Sequence, residues 1–211
     1  MKLFELKRTL KQQLNRNDLE SVAKLAKQDR RVVNILVSFS YDKETELSWR
    51  AIKGAGAAAK VLLDNDYEFL RDTTRRLIWS VTEESGNVAW SSIEMLSEII
   101  SSDVERFSDL IPIVVSMYEE EIFREGVMYG LSRFADISVS LIAPYEDVIR
   151  EALCDGNPLV RFLAIECALK SGVSLSDDVR KRLSLDEEEV NIYTNAGFEK
   201  VKIRAKAIDF R

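Results

Sequence analysis

The stretch VRFLAIECAL, residues 160–169, decides the fold because three other segments of the chain repeat its pattern. These segments are FREGVMYGLS (123–132), VAWSSIEMLS (88–97) and LSWRAIKGAG (47–56), and successive starts are 35 to 41 residues apart. We count from the second residue of each segment. The residues three, four, six and seven positions after it are mostly apolar, either small or bulky. This spacing places them on one face of an α-helix. The repeat therefore predicts a row of similar helices that pack closely through this face.

A second helical stretch and a short polar turn precede each segment, so the repeating unit reads as a helical hairpin. In the last unit Asn157 is a candidate helix cap, and Pro158 follows it at a position where proline is tolerated. The sequence predicts an all-α fold: a right-handed α-solenoid of about four to six stacked hairpins. We expect a single domain over 1–211. It divides into N-terminal capping helices (1–29), four repeats (30–172) and a degenerate C-terminal capping repeat, read as a further helical pair (173–211).

The second helices resemble HEAT-like repeats of the phycobilisome-lyase type. The segments VRFLAIECAL and FREGVMYGLS fit best, and Arg124 and Arg161 match the arginine that such repeats carry there. Ser48 and Ala89 depart from that pattern, so a ladder of arginines is incomplete. The stretch RLIWSVTEESGNVAWSSIEMLSEI, residues 76–99, also resembles uncharacterised bacterial HEAT-repeat proteins. The resemblance covers roughly residues 30–172 and implies an α-solenoid, but it implies no activity, because such repeats serve many purposes.

Charge and composition narrow the function. The net charge is −6, and residues 32–198 carry 16 Lys/Arg against 30 Asp/Glu, which would repel a phosphate backbone and makes nucleic acid an unlikely partner. The basic ends of the chain read as solvated helix faces. The chain has no histidine, which removes the commonest general base and metal ligand, so a non-enzymatic role is favoured.

The cysteines, the N-terminus and the apolar runs bear on metal binding and on the cellular location. Cys154 and Cys167 have no metal-ligand spacing, and no metal or cofactor is expected. The N-terminus lacks the apolar core of a signal peptide, and the apolar runs are too short to span a bilayer. We therefore expect a soluble cytoplasmic protein that does not engage a membrane, either a monomer or a weak homo-oligomer.

A candidate partner surface is formed by the residues one and five positions after the second residue of each segment. These residues lie on another face of the second helices. These positions hold aromatic and charged residues, and they should lie on the concave face of a solenoid: Trp49, Lys53, Trp90, Glu94, Glu125, Tyr129, Phe162 and Glu166. Two interpretations stay open. The rings pack between neighbouring helices, or they anchor a protein or peptide partner.

Three further features have simple structural interpretations. Trp79 follows Leu77 and Ile78 and is expected in the core. The segment TEESGN, residues 82–87, reads as a capped turn with Asn87 as a cap candidate. The arginines of RDTTRRL, residues 71–77, read as a solvated face that pairs with Glu68 and Asp72.

The function predicted from the sequence is a non-enzymatic scaffold or adaptor that binds a protein or peptide on the concave face. Two alternatives use the same aromatic residues. A HEAT-like DNA glycosylase would use Trp49, Trp90 and Tyr129 with the carboxylate of Glu94. A chromophore- or cofactor-handling protein of the lyase type would hold a flat ligand against the rings.

Overall fold

A computed structural model describes residues 1–82 and 90–210 of the chain. This part divides into two compact units, Met1–Ile111 and Pro112–Arg211, and each is described by itself. The predicted all-α architecture of helical hairpins is confirmed, with one short β-hairpin near the C-terminus. A continuous single domain over 1–211 stays a prediction.

Unit 1 (Met1–Ile111) contains three helical hairpins. Their helices are α1 (Leu3–Asn15), α2 (Leu19–Gln28), α3 (Arg31–Phe39), α4 (Glu46–Leu62), α5 (Tyr67–Thr82) and α6 (Ser92–Ser102). Each hairpin pairs consecutive helices, and α4 packs against both α2 and α6, so the second helices form one layer. A short α7 (Val104–Phe107) and a 3-10 turn (Ser108–Leu110) follow. The predicted capping helices 3–15 and 17–28 correspond to α1 and α2.

Unit 2 (Pro112–Arg211) has more broken first helices. Its helices are α8 (Ile111–Ser116, which begins one residue before the unit), α9 (Arg124–Ile137), α10 (Glu146–Ala152), α11 (Pro158–Ser171), α12 (Asp177–Ser184) and α13 (Ile203–Ala207). Four 3-10 turns lie between them: Met117–Glu119, Glu121–Phe123, Val139–Leu141 and Ala143–Tyr145. Pro112 and Pro144 lie in these interrupted stretches, where a missing N–H donor prevents a long continuous helix. The long helices α9 and α11 pack side by side.

The predicted apolar stripe is buried in both units, which confirms the repeat. Every stripe position of the four second helices is buried: Ala51, Ile52, Gly54, Ala55, Ser92, Ile93, Met95, Leu96, Val127, Met128, Gly130, Leu131, Ala164, Ile165, Cys167 and Ala168. Gly54 in this stripe, and Gly56 two positions after it in α4, allow close helix contact. A Cβ built on Gly54 would lie 3.1 Å from Leu36 Cδ2, and one on Gly56 would lie 2.9 Å from the backbone oxygen of Glu98.

Residues 173–211 depart from the predicted helical pair. After α12, the chain forms an antiparallel hairpin of β1 (Glu189–Thr194) and β2 (Gly197–Lys202), and the short α13 follows. The segment EVNIYT alternates polar and apolar residues, and Asn195, Ala196 and Gly197 (φ 118°) turn the chain. These local preferences favour strands, so the prediction of helix is wrong for the residues of β1 and β2, and the second helix of the region is only the short α13. Both β1 and α13 pack against α11.

Candidate functional site

Three exposed aromatic rings lie at one end of unit 1. Trp79 at the end of α5 is 62% exposed, Trp90 just before α6 is 54% exposed, and Tyr41 just after α3 is 52% exposed. We call Tyr41, Trp79 and Trp90 the aromatic surface. The prediction that Trp79 belongs to the core is wrong: Leu77 is buried, but Trp79 is two positions further on and points away from that face.

Buried serines connect the segments that carry these rings. Ser91 Oγ donates a hydrogen bond to Ser40 Oγ at 2.9 Å, and the hydroxyls of Ser80 and Ser92 lie 3.0 Å apart. Because each ring is the sequence neighbour of a bonded serine, the bonds hold Tyr41, Trp79 and Trp90 at the same end of the unit. The sequence pattern predicted a partner surface that includes Trp90, but it did not indicate Tyr41 or Trp79. The serines next to these aromatic residues were the feature of the sequence that could have indicated the surface.

Trp49 lies beside this surface and is half-buried. Its indole Nε1 donates to the backbone oxygen of Lys43 at 2.8 Å, which ties α4 to the loop before it. A half-buried indole with its N–H already bonded serves packing first, in line with one of the two interpretations of the sequence.

In unit 1 the charged residues of the predicted surface, Lys53 and Glu94, each form an ion pair with a residue outside that surface. Lys43 Nζ lies 2.9 Å from Glu94 Oε1, and Lys53 Nζ lies 3.0 Å from Glu98 Oε1. Glu94 is only 2% exposed, and its second oxygen, Oε2, has no hydrogen-bond partner among the described residues. These ion pairs join α4 and its preceding loop to α6. The glycosylase alternative requires the carboxylate of Glu94 to reach a substrate base. Because this carboxylate is buried against Lys43, it has no direct access to one.

In unit 2 the predicted surface residues mostly support the fold. Phe162 is 2% exposed, so it is not available as an anchor, and this part of the prediction is corrected. The reason is that β1 and α13 pack against α11, its own helix. Glu125 Oε1 accepts a hydrogen bond from Asn157 Nδ2 at 2.9 Å, and Glu166 Oε1 lies 3.6 Å from Lys206 Nζ. Tyr129 is half-buried.

The two repeat-type arginines form equivalent ion pairs. Arg124 Nη1 lies 2.9 Å from Asp155 Oδ2, and Arg161 Nη2 lies 2.8 Å from Asp186 Oδ2. Arg124 is the first residue of α9 and Arg161 is the fourth residue of α11, and in both cases the aspartate lies in a turn of the next hairpin. These ion pairs link successive hairpins of unit 2. The sequence predicted the two arginines as part of an incomplete row, but it did not indicate their partners.

The remaining predictions have simple outcomes. Arg71 forms a two-bond pair with Asp109, at 2.9 and 2.7 Å, and hydrogen bonding from Arg71 lowers the pKa of Asp109. Arg75 pairs with Asp72 as expected. Asn157 caps α11 by accepting from Leu159 N at 2.8 Å. The turn TEESGN and its cap candidate Asn87 lie outside the described residues, apart from Thr82.

Metal-ligand clusters and membrane-spanning helices are both absent from the described residues. Over residues 1–82 and 90–210, no three Asp, Glu or Cys side chains are grouped so that they could ligate a metal ion. Within the same ranges, each helix is too short or too polar to cross a bilayer.

Comparison with known proteins gives one structural likeness. No protein-family model and no curated protein matches the chain. Among solved structures, the chain is similar to an archaeal HEAT-like repeats protein from Thermococcus onnurineus NA1, with 15% sequence identity and a TM-score of 0.39. The match covers 96% of this chain and 78% of that one. At this level of similarity, function has to be argued from the residues of this chain.

Proposed function

We propose that this chain is a non-enzymatic protein-binding module that takes a protein or peptide partner on the aromatic surface of unit 1. The observation that carries the proposal is that Tyr41, Trp79 and Trp90 are exposed and that the serines beside them are hydrogen-bonded in pairs at one end of the unit. Large aromatic side chains are costly to leave in water and are enriched at the centres of protein interfaces. Trp and Tyr are also the residues that most often dominate the binding energy.

The support beneath the rings favours binding without rearrangement. Ser40, Ser91 and Ser92 are each at most 3% exposed, and their hydroxyls bond to one another or to Ser80. Buried, satisfied hydroxyl pairs fix the segments that carry the rings. A surface that is held in position before binding loses less conformational entropy when a partner arrives.

The half-buried Trp49 and the pair of Lys43 with Glu94 extend this support beside the surface. In the proposal these residues stabilise the edge of the aromatic surface, while the exposed rings contact the partner. Cys154 and Cys167 are both free thiols, which fits a reducing compartment, so we place the module in the cytoplasm.

The test compares capture of partners from native lysate by the wild-type chain and by a Trp79→Ala/Trp90→Ala variant. We expect the variant to lose the captured protein, with an affinity at least about thirtyfold weaker, because two interface anchors are removed. Leu185→Ala is the matched control, since Leu185 is also exposed but lies in unit 2.

Circular dichroism of both variants should match the wild type, since no buried side chain is changed. The proposal is overturned if the double variant retrieves the same proteins as the wild type. It is also overturned if Leu185→Ala loses them to the same extent.

A further inference from the structure

The beginning of α1 exposes apolar side chains in an unusual concentration. Phe4 is 75% exposed, and Met1 and Leu3 are each 57% exposed. The rest of the helix packs normally, since Leu6, Leu10 and Leu14 are fully buried against unit 1. Phe4 therefore adds little to the core and lies on a different side of the helix from the packed leucines, whereas Leu3 continues their side beyond the packed part.

Three exposed cations continue from Phe4 along the same face. Lys7, Arg8 and Lys11 lie three, four and seven positions after Phe4, which places the four side chains on one stripe. All three cations are exposed, and none forms a salt bridge with any residue in 1–82 or 90–210. Residues 1–16 contain five Lys/Arg and a single acid, Glu5, in a chain whose net charge is −6. We call Phe4, Lys7, Arg8 and Lys11 the basic stripe.

The tip is held by one hydrogen bond from Arg31 at the start of α3, a side chain that Asp29 orients. Arg31 Nη2 donates to the backbone oxygen of Met1 at 2.9 Å and to Asp29 Oδ2 at 2.6 Å. Lys7 Nζ lies 5.3 Å from the centre of the Phe39 ring, a cation–π contact that orients the first turns. Leu3 and Phe4 are therefore presented from a fixed helix end.

Contrary to the expectation from the sequence, we propose that unit 1 binds peripherally to the surface of an anionic lipid bilayer through the beginning of α1. Leu3 and Phe4 enter the boundary between headgroups and acyl chains, and the cations of the basic stripe lie among the anionic headgroups. A membrane surface requires both an apolar and a basic signal for stable attachment, and α1 supplies both.

The lysines decide between a bilayer and an acidic protein as the anionic partner. Lysine is depleted in protein interfaces, because its flexible, strongly hydrated ammonium is costly to bury. At a bilayer the same side chain keeps its ammonium hydrated at headgroup level while its stem covers apolar surface. This proposal uses different residues from the aromatic surface and stands or falls separately from the protein-binding function.

The test is co-sedimentation of the full chain with vesicles of phosphatidylcholine alone and of phosphatidylcholine mixed with phosphatidylglycerol. We expect binding to the mixed vesicles at low salt, loss of binding at high salt, and little binding to the neutral vesicles. Lys7→Glu/Lys11→Glu should weaken binding by at least about tenfold, since each cation near an anionic surface contributes substantially. Phe4→Ser should also weaken it.

Arg180→Glu/Lys181→Glu is the matched control, because it makes the same change of charge at two exposed cations of α12. It should bind the mixed vesicles like the wild type. The proposal is overturned if the wild-type chain ignores anionic vesicles, or if the control loses as much binding as the α1 variants. Binding to a poly-glutamate peptide without binding to vesicles would also overturn it, and would assign the stripe to an acidic protein.

Discussion

Gly56 shows how strongly one residue can be constrained by the repeat. The backbones of α4 and α6 approach so closely at this point that a Cβ on Gly56 would lie 2.9 Å from the Glu98 backbone oxygen. That oxygen belongs to a helix and cannot move aside as the end of a side chain can. The mixture of small and bulky residues in the sequence stripe predicted such contacts. It did not say which glycine lies at the contact, because that depends on the distance between the helices.

Gly56→Ala should lower the free energy of unfolding by about 1 to 3 kcal/mol, since the added methyl group forces α4 and α6 apart. Urea denaturation followed by circular dichroism measures this change. Gly156→Ala is the control, because a Cβ there would meet no atom within 4 Å, and its stability should stay close to that of the wild type. Equal stability of Gly56→Ala and the wild type would contradict the close contact.

At the scale of elements, the links between hairpins of unit 2 depend on carboxylates in the turns. Asp155 Oδ2 pairs with Arg124 at the start of α9, while Asp155 Oδ1 accepts from Asn157 N at 2.7 Å. One side chain thus joins two hairpins and shapes the turn before α11. The pairing partner of Arg124 was not evident from the sequence, because the two residues are 31 positions apart.

Asp155→Ala should lower the free energy of unfolding by about 2 to 4 kcal/mol, since it leaves the partly buried Arg124 without its carboxylate and removes the bond to Asn157. Thermal or urea unfolding of the variant gives the value. The control is Asp72→Ala, which breaks an exposed pair with Arg75 and should cost less than about 1 kcal/mol. If the two variants are equally stable, Asp155 does not link the hairpins.

The elements themselves were largely predictable. Helices α4, α9 and α11 follow from the apolar stripe, because burial on one side imposes the helical period on the sequence. The β-hairpin was missed, although VNIYT and NAG favour a strand and a turn. The expectation of one more repeat outweighed these local preferences. Trp79 was misplaced for a related reason: apolar neighbours in sequence do not fix which side of a helix a ring occupies.

For the whole molecule, the lowered pKa values of four carboxyl groups predict that stability falls in acid. Hydrogen bonds lower the pKa of several carboxyl groups below their ordinary values near 4: Ser21 acts on Asp18, Arg31 on Asp29, Arg71 on Asp109 and Lys202 on Glu187. A lowered pKa in the folded state means that stability is fully present above the ordinary value. It is lost as the pH falls through the lowered values.

Urea midpoints measured from pH 8 down to pH 2 should therefore be nearly constant at neutral pH and fall below about pH 4. The chain has no histidine, so no such side chain titrates between pH 5 and 8. Asp109→Asn removes one of the lowered groups and should make the acid decline shallower. A steep loss of stability between pH 7 and 5 would contradict this account.

The hairpin of β1 and β2 also bears on how copies of the chain behave at high concentration. In an array of similar helices, the last one offers the same apolar side that its predecessors use to hold their neighbours, and it invites another molecule to continue the row. Here β1 and α13 cover α11, so that side is already occupied by the chain's own tail. We therefore expect this cover to oppose open-ended polymerisation through α11.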